Sequence, residues 1–166
     1  MSESVTRTHS WVPPTPPAEV AHLSGEEFLR AIVEGRIAPP PIAGTLGFEL
    51  TDVKPGSAVF EGQTGEHLYN PLGTVHGGYL ATLLDSALGC AVMSLLPAGI
   101  GYTTVQLNVN MVRAVHAGVG LLRCEAQTVH VGRTIGTAEA RVVGLETGKL
   151  YAHATTTCAI FPLKSG

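Results

Sequence analysis

Apolar residues recur along this chain in two different rhythms. Between His76 and Leu96, Leu80, Leu83, Leu84, Ala87, Leu88, Ala91, Val92, Leu95 and Leu96 return at steps of three and four. That spacing predicts one helix of about five turns carrying a continuous apolar stripe, ended by Pro97-Ala98-Gly99. A shorter helix is expected upstream. Ser24 is its N-cap, Glu26 and Glu27 stand in its first turn, and Phe28, Leu29, Ile32 and Val33 follow at helical spacing. Gly35 and Pro39-Pro40-Pro41 stop it. Elsewhere the period is two. Phe48–Val53 and Ala58–Gln63 flank the turn Lys54-Pro55-Gly56-Ser57 and predict a hairpin.

After the long helix come four more strand candidates. Tyr102–Val112 sets Val105, Leu107, Val109 and Met111 on one face against Thr104, Gln106, Asn108 and Asn110 on the other. Val119–Val131 is long enough to need bending. Thr134–Val143 follows a Gly132-Arg133 turn, and Leu150–Phe161 follows Glu146-Thr147-Gly148-Lys149. The order β-β-α-β-β-β-β with a single long helix predicts an α+β domain, the helix packed on one antiparallel sheet. A doubly wound parallel fold needs several crossover helices, which this pattern lacks.

Composition sharpens the picture. The 166 residues suit one domain. Residues 1–20, with Pro13-Pro14-Thr15-Pro16-Pro17, read as an extended arm, 21–45 as the short helix and a linker, and 46–163 as the main domain. Only 14% of residues are charged and mean hydropathy is +0.25, so buried surface beyond one core is expected, most simply between subunits. Ten basic against thirteen acidic residues argue against a nucleic-acid partner. The apolar stretch Tyr79–Leu96 is broken by Asp85, so no membrane span is expected. Met1–Glu19 lacks the continuous apolar segment of a secretion signal. Cys90, Cys124 and Cys158 lie in apolar runs and read as reduced thiols, so a cytoplasmic protein is expected. No zinc-type spacing joins the cysteines and seven histidines, so no metal and no cofactor is expected.

Candidate chemistry gathers on the long helix. Asp85, one of two aspartates with Asp52, interrupts its most apolar part at the edge of the stripe. A carboxylate there sheds part of its hydration, a setting in which carboxylates act as bases or nucleophiles; the alternative is a solvent-edge Asp bonded to Thr82. At the helix start, His76-Gly77-Gly78 leaves first-turn N–H groups open to a ligand oxygen at the positive end of the helix dipole. That is the requirement of an oxyanion site. Gly77 and Asp85 stand eight residues, about 12 Å, apart along the axis, too far to share one carbonyl. If both act on one substrate, a second copy of the helix must supply one of them, and a two-fold dimer creates two such sites.

These residues resemble a known family. Asn70-Pro71-Leu72-Gly73-Thr74-Val75-His76-Gly77-Gly78, then Leu83-Leu84-Asp85-Ser86-Ala87, Thr104-Val105-Gln106-Leu107-Asn108 and Gly132-Arg133, are similar to the hotdog-fold acyl-CoA thioesterases of the phenylacetic-acid-degradation type. The resemblance spans about residues 40–162. It implies a curved sheet around the central helix, a homodimer or dimer of dimers, and hydrolysis of a coenzyme A thioester, coenzyme A being part of the substrate. It implies Asp85 as nucleophile or as general base for water, and the Gly77 N–H polarising the carbonyl from the opposite subunit. Asn70 is then expected near Asp85 or the water, His76 near the thioester, and Thr104, or its neighbour Thr103, holding water or the carboxylate. Arg113, Arg133 and Lys149, at strand ends and turns, are candidate contacts for the coenzyme A phosphates. Tyr79, Leu83, Met93 and Met111 are candidates to line an acyl pocket. A hydratase or dehydratase on acyl thioesters and a non-catalytic acyl-thioester-binding module are the alternatives. The absence of a Gly-x-Ser-x-Gly elbow argues against a serine esterase.

Overall fold

The computed structural model describes residues 3–163. Its helices are α1 (Pro17–Val20), α2 (Gly25–Val33), α3 (Pro41–Leu46) and α4 (Gly77–Met93). Strands β1 (Phe48–Lys54) and β2 (Ser57–Gln63) precede α4. Strands β3 (Ile100–Met111), β4 (Leu121–Val131), β5 (Ile135–Gly144) and β6 (Leu150–Pro162) follow it. The strands form one antiparallel sheet in the order β1-β2-β4-β5-β6-β3. One long helix lying in a single antiparallel sheet is the α+β arrangement that the order of elements predicts, and it is the hotdog fold that the family resemblance implies.

The apolar stripe explains the wrapping. Leu83, Leu84, Ala87, Leu88, Ala91 and Val92 are fully buried, and each large one contributes about 1.5–3 kcal/mol by leaving water. The sheet meets them with small residues, among them the buried Ala138, Ala140, Ala152 and Ala154. Gly136 approaches α4 so closely that a Cβ there would lie 2.7 Å from Val92 Cγ1. Bulges in β1, β3 and β4 add the local twist that a curled sheet requires.

Both ends of α4 are tied down. At its start the Val75 N–H donates to the Val115 carbonyl at 2.8 Å and the His76 N–H to Leu68 at 2.7 Å. At its end the buried Ser94 hydroxyl donates to the Ala91 carbonyl at 2.7 Å and accepts from the Gly56 N–H at 2.8 Å. Gly56 sits at φ 79° after Pro55, in the tight turn between β1 and β2.

Strand β3 departs from the expected alternation. Its register on β6 shifts between Thr104 and Gln106. The bulge turns Val105 outward, 59% exposed. Tyr102 before it and Leu107 and Val109 after it pack on the core, and Met111 at the far end is half-exposed. The polar partner Thr104 is half-buried whereas Thr103 is exposed. One edge of the sheet is therefore β3, with Val105, Met111 and Val112 exposed along it. At the other edge, α2 packs on β1.

The first residues also differ from a uniformly extended arm. Pro17, suited to the first position of a helix, opens the single turn α1. Before it the chain runs without regular structure beside residues 38–41. An Arg7 guanidinium N–H donates to the Thr45 carbonyl at 2.9 Å, and Trp11 stays exposed.

Candidate active site

One row of small residues on α4 carries the candidate chemistry. Gly77, Ala81, Asp85 and Gly89 follow each other at i, i+4, so they share one side of the helix. Side chains of β3 cover this side at both ends. A Cβ on Gly77 would fall 2.4 Å from Met111 Sδ, and one on Gly89 would fall 2.7 Å from Tyr102 Oη. Strand β3 thus runs antiparallel to α4 along the row, and Asp85 lies between the two covered glycines.

Asp85 is half-buried, and its Oδ1 is shielded from solvent with no hydrogen-bond partner among the described residues. Thr82 does not serve it: the Thr82 hydroxyl donates to the Gly78 carbonyl at 2.9 Å, and the Ser86 hydroxyl donates to Thr82 at 2.8 Å. A buried carboxylate oxygen without a donor is rare and costly in a folded protein. Its charge is felt by nearby thiols. Burial pushes the Cys90 thiol up to about 12, and the Asp85 charge adds to that rise. Burial also raises the Cys158 thiol, against the pull of the Thr156 and Thr104 hydroxyls, with Asp85 again adding to the rise. Thr104, rather than Thr103, is therefore the threonine on the inner side, opposite Cys158 in the register of β3 on β6.

The helix start is arranged by its own loop. Asn70 Oδ1 accepts the N–H groups of Leu72 at 2.9 Å and Thr74 at 3.2 Å, and its amide donates to the Thr74 hydroxyl at 2.9 Å. These bonds shape the 70–74 turn that aims His76 and Gly77. His76 is the N-cap: its Nδ1 accepts the Gly78 N–H at 2.8 Å. That bond assigns the neutral ring's proton to Nε2. The Tyr79 N–H goes to the His76 carbonyl at 3.0 Å. The Gly77 N–H has no partner among the described residues, at the end of the helix where the dipole favours negative charge.

Known proteins resemble this chain in sequence and in fold. The sequence profile of the thioesterase superfamily matches residues 72–151, a span that includes Gly77, Asp85 and Thr104. The 1,4-dihydroxy-2-naphthoyl-CoA hydrolase of Listeria monocytogenes is 29% identical over 117 residues, covering 70% of this chain and 92% of its own length. A candidate thioesterase of Ralstonia eutropha, described as a phenylacetic acid degradation-related protein, is 31% identical with a TM-score of 0.72. The match covers 80% of this chain and 98% of that one. This chain belongs to the hotdog thioesterases of the phenylacetic-acid-degradation branch. As a thioesterase it hydrolyses acyl thioesters. Another relative of the thioesterase, a hypothetical thioesterase of Streptococcus pneumoniae, was solved with coenzyme A. It is 28% identical with a TM-score of 0.63, over 72% of this chain and 89% of its own.

The thioesterase's three candidate phosphate partners do not converge. Arg113 follows β3, and its N–H reaches the Tyr151 carbonyl at 3.2 Å, near the start of β6. Lys149 precedes that same start, so both lie at the Gly77 end of the sheet. Arg133 lies in the β4–β5 turn, a full strand of β5 away, about 30 Å. All three are exposed. Of the residues named for an acyl pocket, Leu83 and Tyr79 belong to the core. The Tyr79 hydroxyl lies beside Gly62, pushed up to about 12 by burial. Met93 does line a cavity, with Cys90 and Tyr102. Neither of those last two was expected at a cavity from the sequence, where Cys90 read only as a reduced thiol. A cysteine one step past a glycine on a helix, and a tyrosine opening a strand, carry no chemical motif. The placement of Tyr102 over Gly89 is a tertiary fact.

Proposed function

We propose that the thioesterase acts on coenzyme A thioesters as a homodimer, each site pairing Asp85 of one subunit with the Gly77 N–H of the other. One observation carries this reading: the unpartnered Asp85 Oδ1 and the unpartnered Gly77 N–H share a side of α4, yet stand about 12 Å apart in one chain. A second α4, antiparallel across a two-fold axis, supplies each with its complement. The free edge of β3, with Val105, Met111 and Val112 exposed beside that side of α4, supports an interface there.

In each site the amide draws on the thioester oxygen while Asp85 addresses the carbonyl carbon. As general base, Asp85 takes a proton from water as the water oxygen attacks; the tetrahedral oxyanion rests on the Gly77 N–H, and its collapse breaks the C–S bond and releases the thiolate. As nucleophile, Asp85 expels the same thiolate to form a mixed anhydride that water then cleaves. His76 offers Nε2–H beside the thioester, and Thr104 holds water or the carboxylate. Asn70 acts through the loop it shapes. A ring whose Nδ1 is engaged with Gly78 is less suited to the proton shuttling of a hydratase, which favours hydrolysis. The coenzyme A bound to the Streptococcus pneumoniae relative supports that thiol as the leaving group. Arg113 and Lys149 are the proposed contacts for its phosphates, with Arg133 serving only a second subunit's ligand. The three unpaired cysteines suit a cytoplasmic protein.

Subunit mixing tests the arrangement. Asp85→Asn and Gly77→Pro each lower kcat about 10²-fold or more. Refolding the two variants together restores about a quarter of the wild-type activity, because half the dimers are mixed and one of their two sites is intact. No recovery on mixing places both groups in one chain and overturns the shared site.

A further inference from the structure

Tyr69 stands beside Asn70, and the mechanism above gives it no part. It pairs with Val75 in an isolated antiparallel bridge, and the Asn70 N–H donates to the Thr74 carbonyl at 2.7 Å. Residues 69–75 are thus a small hairpin that ends just before His76 and Gly77. The Asn70 side chain bonds only within it, to Leu72 and Thr74, so it sets the shape of the hairpin and not its place. The place is set by the segment 112–120. The Val75 N–H donates to the Val115 carbonyl at 2.8 Å, both residues being buried. From the other strand of the hairpin, the Tyr69 hydroxyl accepts the Ala117 N–H at 2.9 Å. That segment is itself firmly held. Its Val112 and Arg113 N–H groups donate to the Tyr151 carbonyl at 2.9 and 3.2 Å. The buried Thr64 hydroxyl, shared between two acceptors, donates to the Ala117 and Gly120 carbonyls at 2.9 and 2.8 Å.

We propose that Tyr69 is a positioning residue for thioester hydrolysis: its hydroxyl fastens the 69–75 hairpin to the 112–120 segment and so fixes the direction of the Gly77 N–H. The assignment rests on the thioesterase reading above. A hairpin held to that segment by the Val75 bond alone can pivot about it. The Tyr69 bond arrives from the opposite strand and removes that freedom. Any pivot would reach the amide directly, because His76, with φ −62° and ψ 136°, orients the peptide that carries the Gly77 N–H. An oxyanion donor works at about 2.7–3.1 Å from the developing charge, and a displacement of about 1 Å can cost about 10²-fold in rate. The tyrosine ring packs on the core while its hydroxyl reaches a backbone group 48 residues away in sequence. Phenylalanine would fill the same space and offer the Ala117 N–H no acceptor.

Tyr69→Phe and Ala117→Pro each delete one partner of the bond, so the test does not depend on one variant folding. Proline suits position 117, which opens a helical turn after His116 in extended backbone, φ −119° and ψ 161°. Steady-state kinetics are measured on the full chain with a thiol reagent and a panel of acetyl-, butanoyl-, octanoyl-, phenylacetyl- and palmitoyl-CoA. Each variant lowers kcat about tenfold with KM within about twofold of wild type, and the double variant is no slower than either single one. In the Gly77→Pro variant, where the amide is already gone, Tyr69→Phe changes kcat by less than about twofold. Thr128→Val removes a comparable hydroxyl bond, 3.2 Å to the Gly56 carbonyl near the other end of α4, and leaves kcat unchanged. Suppose wild type cleaves these thioesters but either variant keeps full kcat, Thr128→Val loses as much, or the Tyr69→Phe loss persists in full beside Gly77→Pro. The positioning assignment then falls and the thioesterase reading stands. If wild type cleaves none of the panel, the thioesterase reading falls, and this assignment with it.

Discussion

Gly77 combines two properties that one substitution can separate. Its N–H is unpartnered at the first position of α4, and its Cα lies beneath the flexible end of Met111. Proline is tolerated at that position, and His76 already holds the extended backbone, φ −62° and ψ 136°, that a residue before proline needs. In a Met111→Ala background, Gly77→Pro deletes the N–H and Gly77→Ala keeps it. Steady-state kinetics should show kcat of the proline variant about 10²-fold below the alanine variant, with melting temperatures within a few degrees. Equal kcat in the two removes the amide from the mechanism. Asp85 and Gly77 were legible at this scale because they break a local rule, a charge in an apolar stripe and two glycines opening a helix. Asn70 was legible only as a position: its side chain goes to Leu72 and Thr74, which a spacing argument cannot see.

Helix α2 shows how one element can serve a site it does not enter. Ser24 and Glu27 form a reciprocal capping box. The Ser24 hydroxyl accepts the Glu27 N–H at 3.3 Å while the Glu27 carboxylate accepts the Ser24 N–H at 2.8 Å. The helix starts hard against the end of α4, the Gly25 N–H donating to the Leu96 carbonyl at 2.9 Å. Ser24→Ala should lower stability by about 1 kcal/mol in urea unfolding, with Ser24→Asp retaining most of it. Both α2 and α4 were readable from periodicity, within about two residues at their starts. The face of β3 was not. Alternation placed Val105 with Leu107 and Val109, but the bulge between Thr104 and Gln106 reverses the phase at that point. A bulge lives in the pairing of two backbones, so its position is invisible along one strand. The reversal brings Thr104 rather than Val105 to the inner side.

For the molecule as a whole, three thiols titrate late. Burial raises the pKa of Cys90, Cys124 and Cys158 above the ordinary thiol value of 9.0. Below pH 9 both folded and unfolded chains keep these protons, and the contribution to stability is complete. Above it the unfolded chain releases protons that the folded chain retains, so stability falls as pH rises toward the folded value, about 12 for Cys90. The slope is at most about 1.4 kcal/mol per pH unit for each thiol. Thermal unfolding between pH 8 and 10.5 should show a steadily falling midpoint, less steep in Cys124→Ala. A midpoint that holds or rises with pH contradicts the burial of these groups.

Helix α4 is tied at both ends, at Val75 and His76 by backbone bonds and at Ser94 by its hydroxyl, which opposes sliding in its sheet. The spacing from amide to carboxylate is then a count of residues rather than a matter of conformational adjustment. An insertion between Gly77 and Asp85 would swing the carboxylate by about 100°, to the direction that Ser86 now holds, whereas one in the 97–99 loop would leave it in place. On the shared-site proposal, the loops and the N-terminal arm of this chain can change in length without altering that spacing.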